Sequence, residues 1–308
     1  MDVEAKYYLG SVTLEKTNAL VIEWSEYARL IDAKRILSEA LNIEEKYDVA
    51  LCNYMEFEKE QLTITLDNLV NSIHYDYNRT YEVLSTLNRR LVNFLSTGKK
   101  YTDLVAGLAA KCSINSAETE ISIGALLSKH YDDCLDYRAM EVLRNHVNHS
   151  GLAVHTVSAP SKWTIDDNKK ADQLVFNLEI YAEKKTLAEN SKFNKKILKE
   201  LPDKFDLKKA ARSYIGAISH VHEEVRKTIR GNVDGARNTI EEYLKKHSDL
   251  NDGASFPVGA FIERPNTPVD SPTMIILDWD NVRVGLAKKN LSISNMTRRH
   301  ISSALVTK

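Results

Sequence analysis

The sequence predicts a mainly α protein: an N-terminal antiparallel helical bundle, a small β-hairpin or strand element, and a further long helix in the C-terminal half. Three observations predict it. Eleven glycines and six prolines in 308 residues leave few breakers. Apolar residues recur every three to four positions through most of the first 150 residues. After Gly151 that period gives way to alternation.

Residues 18–41 carry Leu20, Ile22, Trp24, Tyr27, Leu30, Ile31, Leu37 and Leu41 at helical spacing, as one long amphipathic helix or two short ones. Residues 42–75 repeat the pattern through Tyr47, Leu51, Tyr54, Phe57, Leu62 and Leu66. A third helix covers 77–95, with Ser96-Thr97-Gly98 as its stop, and a shorter one covers 101–110. Residues 116–149 form one or two helices, with Ser116 as N-cap ahead of Glu118 and Glu120, ended by Gly151. Burying four or five such stripes calls for a bundle.

Leu152, Val154 and Thr156 then alternate with Ala153, His155 and Val157, and residues 174–181 alternate likewise. Both read as strands of a hairpin, with 158–170 as the loop between them. Helices return over 190–199 and 207–247, the second with a weak spot at Gly231 or Gly235. Residues 256–263 and 274–279 read as short strands around a turn containing Pro265, Pro268 and Pro272. The expected organisation is a bundle over 1–150, a hairpin insertion over 151–185, C-terminal helices over 186–250, and short strands with a basic tail over 251–308.

Composition narrows the function classes. With 43% hydrophobic and 28% charged residues the chain has a globular rather than a disordered balance. Cys52, Cys112 and Cys134 show no C-x-x-C spacing, so neither a disulfide framework nor a zinc site is expected. The polar start lacks the basic and apolar regions of a signal peptide, and no apolar run approaches the roughly 18 residues that span a bilayer. A reduced, cytoplasmic protein with no membrane partner is expected.

Net charge is −1, but residues 281–308 hold six basic and no acidic side chains, leaving −7 for the rest. A second basic stretch runs from Lys184 to Arg212. Lys195, Lys196, Lys208, Lys209, Arg298 and Arg299 are therefore candidate RNA contacts, weighed against solvated faces of ordinary helices.

One segment can carry chemistry. Arg144, Asn145, His146, Asn148 and His149 crowd the end of a helix. At 100° per residue Asn145 shares a face with His149, and Arg144 with Asn148, while Arg144 and His149 stand about 140° apart. Loss of regular geometry before Gly151 lets His149 turn toward a neighbour. RNA cleavage needs a base for the 2′-OH proton, and histidine is the side chain that titrates nearest neutrality. It also needs a cation aimed at the phosphoryl oxygens, which the arginine fork supplies. Neither role needs a metal or cofactor. The spacing decides nothing by itself, since an Arg followed by a His after four to six residues is expected about once by chance.

The stretch from Tyr131 to Val154 resembles the Arg-Asn-x-x-x-His signature of the HEPN superfamily, and especially a bacterial version with an aromatic and Gln before the His, then Gly-Leu-Pro-Val. Here His146, Asn148 and Ala153 stand in place of the aromatic, Gln and Pro. The resemblance implies a four-to-five-helix bundle and a metal-independent ribonuclease of toxin or antiphage type. It implies a homodimer with paired motifs and, for a toxin, an antitoxin protein as partner. It carries over Arg144 and His149 as catalytic and Asn145 as the polar motif residue, with His146 and Asn148 as auxiliaries. Some members of the superfamily bind without cleaving, so a non-catalytic RNA-, nucleotide- or protein-binding module is the alternative.

Other polar groups are weighed against it. His146 and His149 with Asp132 or Asp133 could ligate a metal, but no companion motif supports them. His220 and His222 read as a solvated face, and Asp278 and Asp280 as a strand-end turn rather than a Mg²⁺ site.

Overall fold

The computed structural model describes residues 5–13, 17–71, 76–166, 168–254, 256–265 and 271–303. Tyr75, Pro268, Lys308 and the first four residues lie outside them. The described chain is mainly helical. In order it contains β1 (Lys6–Ser11), β2 (Leu20–Ile22), α1 (Trp24–Asn71), α2 (Tyr77–Lys111), α3 (Ser116–Asp133) and α4 (Leu135–His149). Then come β3 (Thr156–Ser158), β4 (Ser161–Ile165), β5 (Ala171–Phe176), β6 (Glu179–Glu183), α5 (Lys184–Glu189) and α6 (Lys195–Glu200). The chain continues through β7 (Lys204–Asp206), α7 (Leu207–Asp249), β8 (Val258–Glu263), β9 (Thr273–Ile275) and α8 (Asp278–Lys289).

Four helices, α1–α4, fill the described residues up to His149, within the expected four or five, but their boundaries differ. α1 is one helix of 48 residues, and its expected first turn is the strand β2, paired with β1. α2 runs straight through Ser96-Thr97-Gly98. Gly98 is there for proximity rather than termination: a Cβ on it would lie 2.7 Å from Cε1 of Tyr214. Thr97, inside the helix, donates its hydroxyl to the carbonyl of Asn93. α7 likewise continues through Gly231 and Gly235. α3 and α4 are separate, divided at Cys134, whose backbone is extended. Ser116 is the first helical residue of α3, not its cap; Asn115 precedes it and its carbonyl accepts from the amide of Thr119.

The chain forms two compact units built from interleaved segments. The first comprises residues 1–45, 105–123 and 224–291. Its antiparallel sheet has the order β2-β1-β8-β9. Tyr8 stacks on its cross-strand partner Phe261 at 5.0 Å. Leu30, Leu37, Ile43 and Ile240 are buried among its helical segments. Asp278 and Asp280 belong to the first turn of α8, not to a strand end. Asp280 is fully buried and bridged by Arg237 and Arg283, so it is a structural ion cluster rather than an open carboxylate.

The second unit comprises residues 46–104, 124–223 and 292–308. Its helices bury Phe57, Leu87, Leu91, Phe94, Tyr101, Leu143, Tyr214 and Ile218. His222 is part of this core, not of a solvated face: its Nδ1 lies 2.9 Å from the Tyr101 hydroxyl and its ring stacks on Tyr47 at 3.8 Å. His220 is exposed and meets His130 at 2.9 Å. The expected strand pairing is present in part: β3 lies antiparallel to β6, but residues 152–155 are not strand and the expected strand over 174–181 breaks at Asn177 and Leu178 into β5 and β6. The expected 158–170 loop contains β4, which pairs with β5. α1 is apolar on two sides here. Phe57 and Ile64 are buried, whereas Met55, Leu62, Leu66, Leu69 and Val70 form an exposed stripe about 180° away.

Candidate functional site

α4 follows a helical pattern with its buried face made by Tyr137, Ala139, Met140, Leu143 and His146. The polar segment is thereby sorted. His146 faces inward, Arg144 is half-buried, and Asn145, Asn148 and His149 are exposed. The helix stays regular to His149, and Ser150 caps it by donating its amide to the carbonyl of His146 at 2.8 Å. The roughly 140° between Arg144 and His149 therefore persists, and His149 does not swing toward Arg144. Gly151 donates to the same carbonyl at 3.2 Å without a left-handed backbone.

What fixes this end is the loop that follows. Asn88 on α2, 2% exposed, spends its whole amide on it. Its Oδ1 accepts from the amides of Ala153 at 3.0 Å and Val154 at 2.9 Å, and its Nδ2 donates to the carbonyls of Val154 and Leu84. The carbonyl of Leu152 takes two imidazoles, Nε2 of His146 at 3.2 Å and Nε2 of His155 at 2.8 Å. Carbonyls only accept, so both rings carry their proton on Nε2. Their Nδ1 atoms then accept, His146 from the side-chain amide of Asn190 at 3.0 Å and His155 from the backbone amide of Glu183 at 2.8 Å. Burial holds both rings below their ordinary pKa, although the bond to Leu152 opposes it. His146 is thus a neutral, fully bonded ring, edge-on to Phe193 at 5.8 Å.

The other motif residues keep unused capacity. Arg144 donates Nη1 to Oδ1 of Asn145 at 3.1 Å. Its Nε is buried and has no partner among the described residues. His149 has no hydrogen-bond partner among the described residues. The structure therefore brings Arg144 and Asn145 together, leaves His149 and Asn148 in solvent, and commits His146 to the fold. Among the described residues no three His, Cys, Asp or Glu side chains gather as a metal ion would need.

The basic candidates divide similarly. Lys195 and Lys196 are exposed in the first turn of α6, and Arg298 and Arg299 are exposed in the tail. The carbonyl of Arg299 accepts from Arg212, and Ser219 holds the amide of Ile293, so the tail lies along α7. Lys208 is tied to the carbonyl of Leu178 at 2.9 Å, and Lys209 lies 3.7 Å from Asp136. Their charges partly serve the fold.

Sequence reasoning missed Asn88, His155 and Asn190. One signal existed: Asn88 interrupts the apolar stripe of Leu84, Leu87 and Leu91, and a polar residue at a core position announces a specific partner. Comparisons with family models, curated proteins and solved structures find no match for the chain. No described helix is long and apolar enough to cross a membrane.

Proposed function

We propose that the chain is a metal-independent endoribonuclease of HEPN type whose site is built on the C-terminal end of α4. The observation that supports this most is the division of labour among its histidines. His146 is consumed by the fold at both nitrogens, while His149, three residues on, is exposed with neither nitrogen engaged among the described residues. That favours His149 over His146 for the proton-transfer role. Arg144 contacts the phosphoryl oxygens, and Asn145 orients the guanidinium through the bond already present.

In the proposed reaction His149 takes the 2′-OH proton, and the 2′-oxygen attacks phosphorus. The 5′-oxygen leaves and is protonated, giving a 2′,3′-cyclic phosphate and a 5′-hydroxyl. Arg144 offsets the charge that builds on the phosphoryl oxygens. Arg144 and His149 point to different sides of one helix, so a second copy completes the constellation in this reading. The exposed stripe from Met55 to Val70, with Tyr77 and Tyr81 at 85% and 65% exposure, offers apolar surface of the kind a homodimer covers. The role is that of a cytoplasmic toxin or antiphage effector, held in check by an antitoxin protein, with Lys195, Lys196, Arg298 and Arg299 as outlying RNA contacts.

The same 140° separation favours the second reading, a module that binds RNA through Arg144 without cutting it. Expression in a bacterial host separates the two. Growth arrest that Arg144→Ala and His149→Ala both relieve supports the nuclease. Unimpaired growth, with RNA bound intact and released by Arg144→Ala, supports the module.

A further inference from the structure

We propose that the cleft between the last turn of α7 and the strands β8 and β9 is a binding site for a small organic cation with an apolar body. The cleft has a volume of about 400 Å³, the size of pockets that hold small ligands. Leu244, Phe256, Met274 and Ile276 form much of its wall. Among the described lining residues the polar side chains are three: His247, Ser248 and Asp278.

His247 is the unusual member. It is 1% exposed, and its Nε2 has no hydrogen-bond partner among the described residues. A buried polar atom left unbonded costs about 1–3 kcal/mol, so such atoms are normally matched by protein, water or ligand. Burial also pushes the His247 pKa down, so the ring is neutral near pH 7 and offers a hydrogen bond without a charge.

The sign of the ligand follows from the rest of the lining. Among the described residues no lysine or arginine lines the cleft, and Asp278 places an exposed carboxylate on it. The last turn of α7 contributes the negative end of a 43-residue helix, although Asn251 and Gly253 bond the carbonyls of His247 and Ser248. α8 begins at Asp278, so its first-turn amides offset part of that potential; the one full charge among the described lining residues is the Asp278 carboxylate, which repels an anion. A cation would pair with Asp278 while its apolar body lies on Phe256 and Met274 and a polar edge reaches His247. This site is separate from α4, and the inference stands whether or not the chain cuts RNA.

Three probes of one shape and different charge test it: tryptamine, tryptophol and indole-3-propionate. Each is titrated into the full chain by calorimetry, and into protein with 15N-labelled histidine while the His247 ring nitrogens are followed by NMR. The expected result is saturable tryptamine binding, at least tenfold tighter than indole-3-propionate, with a shift of the His247 nitrogens. Asp278→Asn, an exposed change that leaves folding intact, should weaken tryptamine about 5–10-fold and spare tryptophol. Four outcomes each overturn the proposal: no saturation with tryptamine at 10 mM, indole-3-propionate binding as tightly, His247 nitrogens unmoved at saturation, or tryptamine affinity unchanged in Asp278→Asn.

Discussion

Two helices, α4 and α7, place a buried histidine in their last turn, and the two histidines differ in one respect. His146 has a partner at each nitrogen, Leu152 and Asn190. His247 is just as buried but has an unbonded Nε2. A satisfied buried imidazole locates structure, and its exposed neighbour His149 is the ring to which we propose to give the chemistry. An unsatisfied one marks a place where the protein alone is incomplete. Burial and residue type are the same in both, so only the hydrogen-bond inventory separates them.

The largest effects that sharpen this contrast concern activity. Arg144→Ala should lower RNA cleavage by about 10²–10³-fold and His149→Ala by about 10²–10⁴-fold. Both should leave the melting temperature unchanged within error, because neither side chain holds the loop. A comparable fall in melting temperature would turn the motif into scaffold.

Next comes the anchor. Asn88→Ala strips partners from two buried amides and should cost about 2–4 kcal/mol, read as a shifted denaturant midpoint at constant slope. His146→Phe should cost about 1–3 kcal/mol, since the Asn190 amide loses its acceptor and the Leu152 carbonyl one of its two donors. His247→Phe is the control and should change stability by less than about 1 kcal/mol, because it removes an atom with no bond to lose. Equal losses for the two His→Phe changes would break the comparison.

The smallest effect is the pH response. His146, His155 and His247 are all held below their ordinary value of 6.5 when folded, His146 and His155 despite an opposing hydrogen bond. Above 6.5 their contribution is fully present. As pH falls below 6.5 the unfolded chain takes protons that the folded one refuses, so stability drops, by at most about 1.4 kcal/mol per pH unit for each ring. Chemical denaturation at pH 7.5 and 5.5 measures it, and His146→Phe should flatten the difference. Greater stability at pH 5.5 would mean that the folded chain binds protons more tightly than the unfolded one, against the neutral state assigned to these rings.

Helical periodicity made the fold class legible, and the same periodicity hid the boundaries. Leu20 and Ile22 fit a helix of period 3.6 and a strand of period 2 equally well, and the pairing of Tyr7 with Ile22 decides for the strand. Gly98 looked like a stop because glycine ends helices, but the ring of Tyr214 on a distant segment makes it a contact residue. Asp278 and Asp280 followed a strand-like run, yet Arg237, some forty residues earlier, draws Asp280 into a buried cluster at the start of a helix. In each case a residue far away in sequence outweighed local propensity. At the site, the spacing placed Arg144 and His149 correctly around the helix. It gave no hint that Asn88, Asn190 and the Leu152 carbonyl would take His146 out of play, because those partners come from three other segments.

End-group analysis of RNA incubated with purified protein in excess EDTA tests the central claim most directly. The wild-type chain should leave new 5′-hydroxyl and 2′,3′-cyclic phosphate ends, undiminished by the chelator and absent with His149→Ala. Cleavage that EDTA abolishes, 5′-phosphate ends, or full activity in His149→Ala would contradict it.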